Sequence, residues 1–96
     1  MVMEGSEVAP KFELGRIVAT PGALASLDQL DIMSALSRHV RGDWGDLCDE
    51  DWKANEDALV NGARLLSVFI SRKKDRFYII TEWDRSLTTV LLPSEY

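Results

Sequence analysis

Cysteine, histidine and proline are scarce in this chain: one, one and three in 96 residues. Each scarcity closes off a class of protein. With Cys48 alone there is no intramolecular disulfide, and so no stapled, secreted scaffold. With His39 alone, the paired His and Cys spacings of zinc sites are missing, and no loop has the acidic spacing of a calcium site. The expected metal content is none. A Gly-rich phosphate loop, a dinucleotide fingerprint and a Gly-x-Ser-x-Gly elbow are all absent, so no cofactor is expected. No apolar run approaches the ~20 residues that span a bilayer. Met1-Val2-Met3-Glu4-Gly5 lacks the basic and apolar regions of a signal peptide. The expected location is the cytoplasm, away from membranes.

Positive charge is also in short supply. The net charge of -5 argues against broad binding to nucleic acid or to an anionic surface. Its distribution is uneven. Residues 43 to 57 hold seven acids against Lys53, whereas Arg72-Lys73-Lys74-Asp75-Arg76 sums to +3. The molecule is dipolar, and self-association stays open on that ground.

What is present reads as a flexible tail over 1–10 and a single α+β domain over 11–96. Alternation of Phe12, Leu14 and Val18 with Lys11 and Glu13 predicts a strand over Lys11–Val18. Thr20-Pro21 is a helix start, with Leu24 and Leu27 on the apolar side. Asp31 is placed to cap a second helix carrying Ile32, Met33, Leu36 and Val40, which Gly42 ends. A third helix starts at Asp49, with Trp52, Leu59 and Val60 on its apolar side and Gly62 at its end. Arg64–Ser71, Phe77–Trp83 and Leu87–Leu92 then read as strands. The short loops between them require antiparallel neighbours. The expected fold is one strand, three helices and a three-stranded antiparallel meander, the helices on one face of the sheet. The position of the first strand is open.

For chemistry, His39 is the one side chain that titrates near neutral pH. A helical region bearing His39, followed by a meander bearing Arg64, Arg85 and Thr89, has the order found in metal-free ribonuclease toxins. There arginines hold a phosphate while a histidine moves a proton. The plainer reading makes His39 a boundary histidine hydrogen-bonded to backbone. Thr81 and Thr89 are expected on one sheet face with Ile79 and Leu91. For binding, the candidates are Asp43, Trp44 and Asp46 in the irregular Gly42–Leu47 connection, with Arg85. Asn55, on the buried side of the third helix, is expected to hydrogen-bond that connection. The connection is then ordered, and Trp44 is either locked into the core or held out as an anchor. Its two glycines and Asn55 favour the locked form.

Several strings carry a resemblance. They are Lys11-Phe12-Glu13-Leu14-Gly15-Arg16-Ile17-Val18-Ala19-Thr20-Pro21-Gly22-Ala23-Leu24, Arg38-His39-Val40-Arg41-Gly42-Asp43-Trp44-Gly45-Asp46-Leu47, and Gly62-Ala63-Arg64-Leu65-Leu66-Ser67. Ile79-Ile80-Thr81-Glu82 and the run from Asp84 to Pro93 belong with them. Over almost everything after residue 10 the chain resembles a family of small uncharacterised proteins of bacterial plasmids and integrated elements, sometimes labelled plasmid-related or restriction-related. The resemblance implies no established activity. The reading that follows is an accessory protein of mobile DNA that binds another macromolecule, protein rather than nucleic acid. The alternative is a metal-free nuclease or toxin using His39, Arg64, Arg85 and Thr89.

Overall fold

A computed structural model describes residues 9–96; most of the expected tail over 1–10 lies outside the described residues. The elements run in the order β1 (Arg16–Ala19), α1 (Pro21–Ser26), α2 (Gln29–Val40), α3 (Asp49–Asn61), β2 (Leu65–Ile70), β3 (Arg76–Thr81) and β4 (Leu87–Leu91). A short 3₁₀ turn, Pro93–Glu95, follows. The four strands form one mixed sheet in the order β1-β4-β3-β2. β2, β3 and β4 are the antiparallel meander. β1 lies parallel to β4 at the far edge, with Arg16 opposite Leu87 and Ala19 opposite Val90. Sequence order could not place β1, because a parallel neighbour needs a long connection and here the three helices, β2 and β3 all intervene before β4.

Local signals set the helix ends. Thr20 caps α1 by accepting from the Ala23 N–H, with Pro21 behind it at the first helical position. The cap of α2 is Asp28, which accepts from the Leu30 N–H at 2.8 Å; Asp31, expected in that role, lies within the first turn. α3 opens on Asp49, Glu50 and Asp51 and closes on Gly62 in the left-handed conformation. The first strand is shorter than the alternation predicts. Gly15 has φ +65°, and a Cβ there would strike the Arg85–Ser86 backbone. The chain therefore turns at Gly15, and Phe12 belongs to the segment before the strand.

All three helices pack on one face of the sheet. Ala23, Leu27 and Ala35 meet Phe69, Phe77, Ile79 and Val90 in one buried cluster. Trp44, Ala58 and Leu65 form a second, with Phe12, Leu47, Trp52 and Leu59 against it. Val60, expected on the buried side of α3, is 84% exposed. Among the described residues, no helix is long and apolar enough to cross a membrane.

Candidate functional site

His39 projects from the last turn of α2 into the interface between the helix layer and the sheet. It is completely buried. Its Nδ1 meets the Ser67 hydroxyl, and its Nε2 meets Thr81 Oγ1 at 2.9 Å. Thr81 Oγ1 lies 2.8 Å from Thr88 Oγ1, and Thr88 Oγ1 donates to the Leu14 carbonyl at 2.6 Å. The last bond orients the whole chain. A carbonyl only accepts and a hydroxyl has one proton, so Thr88 must accept from Thr81, and Thr81 must accept from His39. The chain thus requires a proton on His39 Nε2, and in the neutral ring Ser67 donates to Nδ1. Burial, with the Arg85 cation nearby as the smaller cause, lowers its pKa from 6.5 to about 4. The Phe12 and Trp44 rings enclose the imidazole, with centroids 5.2 and 5.5 Å away. An imidazole with both nitrogens engaged and no exposed surface has no access to a substrate proton.

The other residues of the nuclease constellation are spent or distant. Arg85 is a non-glycine residue at φ +61°. That backbone aims its guanidinium at the end of α3, where it donates to the carbonyls of Ala58, Ala63 and Glu82. Thr89 was expected beside Thr81, but the β3–β4 register pairs Thr81 with Thr88 and Ile80 with Thr89. Thr89 thus faces the side of the sheet away from the helices, and it lines a shallow groove there with Arg64. Arg64 is 3.4 Å from Glu82. His39 and Thr89 thus lie on opposite faces, and the four residues do not converge.

The binding candidates are likewise built into the fold. Trp44 is fully buried and donates from its indole N–H to Glu56 at 2.8 Å. Asp43 accepts from the Gly45 N–H and from Arg38, the Arg38 hydrogen bond being the main cause of its lowered pKa. Asp46 pairs with Arg76 at 3.0 Å. Arg72 is likewise tied to Asp28 and Asp31, so both arginines at the ends of the basic turn are held by acids of the same molecule.

Asn55 corrects one expectation. It is buried, but its partner is strand β2. Its Nδ2 donates to the Leu66 carbonyl and its Oδ1 accepts from the Leu66 N–H. Two residues on, the Val68 N–H donates to the Trp44 carbonyl and the Asp46 N–H donates to the Val68 carbonyl. Asn55 and the connection thus close the outer edge of β2 side by side, without bonding each other. Gly45 allows this approach: it has φ +78°, and a Cβ would collide with the Val68 carbonyl.

The opposite edge is different. The Arg16 and Thr20 N–H groups donate inward to Ser86 and Val90 of the β4 segment, so alternation turns the N–H and C=O of Ile17 and Ala19 outward. Among the described residues, no backbone group pairs with them. Beside them runs an open groove of about 570 Å³ lined by Ile17, Leu24, Leu27, Ile32 and Met33. Ile17, Leu24 and Met33 are each about half exposed or more, and so is Leu30 on the same turn of α2 as Met33. Little in the sequence marks this place, since the same leucines and methionine fit a core stripe equally well. Ser67 inside an apolar strand is the sequence sign of the His39 chain. Among the described residues, no three of His, Cys, Asp or Glu gather as metal ligands.

In comparison with known proteins, no family model, curated protein or solved structure matches the chain.

Proposed function

We propose that this is a non-enzymatic, protein-binding accessory module, and that its contact surface is the open β1 edge with its apolar groove. The observation that carries the reading is a division of labour. The polar side chains that chemistry would use are consumed in holding the fold: His39 in the buried chain, Arg85 on three carbonyls, Asp43 and Asp46 on arginines. Among the described residues, Ile17, Leu24 and Met33, three of the eight large apolar side chains exposed at the surface, gather where backbone donors and acceptors also stand open. An open strand edge beside an apolar groove recognises another polypeptide, the backbone giving affinity and the groove selecting side chains. Such a surface offers no cationic track for phosphates. Service to a mobile genetic element is part of the proposal and rests on the sequence resemblance.

The test is capture from bacterial cells with tagged protein, wild type against Leu24→Glu and Met33→Glu. A protein retained by wild type and lost by both variants supports the reading. Retention of nucleic acid, or of a protein equally by all three, overturns it.

A further inference from the structure

Resting on the protein-binding reading, the geometry points to a second copy of this chain as the occupant of the β1 edge. We infer a two-fold dimer in which β1 pairs antiparallel with β1 of the partner.

The edge is self-complementary. The outward-facing residues are Ile17 and Ala19, with Val18 between them facing β4. In antiparallel pairing, two residues that face each other across the edge exchange both N–H···O=C bonds. Setting Ile17 opposite Ala19 of the partner sets Ala19 opposite the partner's Ile17, and the two-fold axis passes through Val18. Four backbone hydrogen bonds form and no outward group of the strand is left over. A two-fold axis perpendicular to the sheet keeps both helix layers on the same side. The two grooves then open onto each other, with Ile17, Leu24 and Met33 of each copy at the seam.

The seam side chains Ile17, Leu24 and Met33 are 49, 65 and 57% exposed. Pairing hides them together with the strand backbone, on the order of several hundred Å² in all, the size of a weak, concentration-dependent contact. Charge does not oppose it: the one ionised side chain on β1 is Arg16, at its end, and this register sets it opposite Thr20 of the partner rather than another arginine. No charge, proline or bulge lies within Ile17–Ala19 to defend the edge; the shortness of the strand is the one such feature there.

Sedimentation equilibrium across about 10 to 200 µM reads the mass, which mass action makes concentration-dependent for such a contact. The expected result is twice the chain mass at the upper end, reverting to one chain in Leu24→Glu. The register is read by cross-linking in a Cys48→Ser background. Val18→Cys sits on the axis, where Cα atoms of a non-hydrogen-bonded pair approach to about 4.5 Å, within disulfide range. It should oxidise to a covalent dimer, whereas Arg16→Cys, whose counterpart lies across from Thr20, should not. A single-chain mass at the upper concentration overturns the dimer. A dimer in which both cysteines cross-link alike, or in which Leu24→Glu has no effect, overturns this interface. If wild type is a single chain yet captures a different protein through Leu24 and Met33, self-pairing alone fails and the protein-binding reading stands.

Discussion

The two outer edges of the sheet present the same problem, a row of backbone donors and acceptors, and the chain treats them in opposite ways. On β2 the outward positions Leu66 and Val68 are both covered: an asparagine amide on Leu66, a parallel stretch of loop on Val68, and a buried tryptophan behind the loop. On β1 nothing in the described residues covers Ile17 and Ala19, and apolar side chains border them. An edge that is expensive to leave open is closed at one side by dedicated residues. The contrast is the basis of the proposed contact surface: the same chain contains the means of closing an edge and, among the described residues, applies them to β2 and not to β1.

The closed side should be the easier to break. Trp44→Ala removes the largest fully buried side chain, leaves Glu56 without its indole partner and loosens the loop on Val68. A loss of about 3–5 kcal/mol is expected, as for other buried aromatics. The midpoint of urea unfolding checks it. A loss under about 1 kcal/mol is the size of a surface substitution and would show that Trp44 does not support the edge.

The buried histidine gives the next largest effect, and its sign follows from linkage. The native pKa is lowered to about 4, whereas the unfolded chain titrates near 6.5. As pH falls through this window the unfolded state takes up the proton first, so stability is lost from about pH 6.5 down to about 4, by roughly 3 kcal/mol in all. Protonation also forces Nδ1 to donate, which reverses the Ser67 bond. Unfolding of wild type and His39→Gln across this range tests it. The variant should start less stable and lack that slope; equal slopes would assign the acid sensitivity to other groups. The carboxylates with lowered pKa, Asp43, Asp84 and Glu95, lose their contribution at lower pH.

Much of this architecture was legible in the sequence, and the remainder was not for definite reasons. Thr20-Pro21, Gly42 and Gly62 mark helix ends through local backbone chemistry, which needs no partner to be read. The three meander strands were set by their short turns. Pairing over long distance left no comparable mark. β1 joins β4 across more than sixty residues, and the buried His39 chain joins Leu14, His39, Ser67, Thr81 and Thr88 from five separate segments. Arg85, Asp43 and Asp46 look like binding residues in sequence because charge reads as exposure. In the fold they answer carbonyls and arginines. Exposure of Leu24 and Met33 was invisible for the converse reason: helical spacing places a residue on a face but does not say whether the fold covers that face.

A smaller loss sharpens the comparison from the β2 side. Asn55→Ala deprives Leu66 of both hydrogen bonds at a largely buried edge, at a cost of about 2 kcal/mol. The expected consequence beyond stability is assembly. With β2 partly opened and β1 available, each molecule has two edges, and heterologous contacts no longer close on themselves. Light scattering at constant protein concentration should show species larger than the wild-type form. No growth in size would mean that the Trp44–Asp46 loop alone suffices to close the edge.

The smallest effect on the fold belongs to the open side. Leu24 is 65% exposed and Met33 57%, so Leu24→Glu and Met33→Glu remove little buried area and break no hydrogen bond. At concentrations low enough to keep molecules apart, each should unfold within about 0.5 kcal/mol of wild type, the range of surface substitutions. At high concentration wild type alone should gain stability, because association stabilises only the folded form. The difference between the two concentrations isolates what the groove contributes through contact. If either variant is strongly destabilised when dilute, its side chain belongs to the core of its own molecule. The two edges would then differ in how they are closed, and no longer in whether they are.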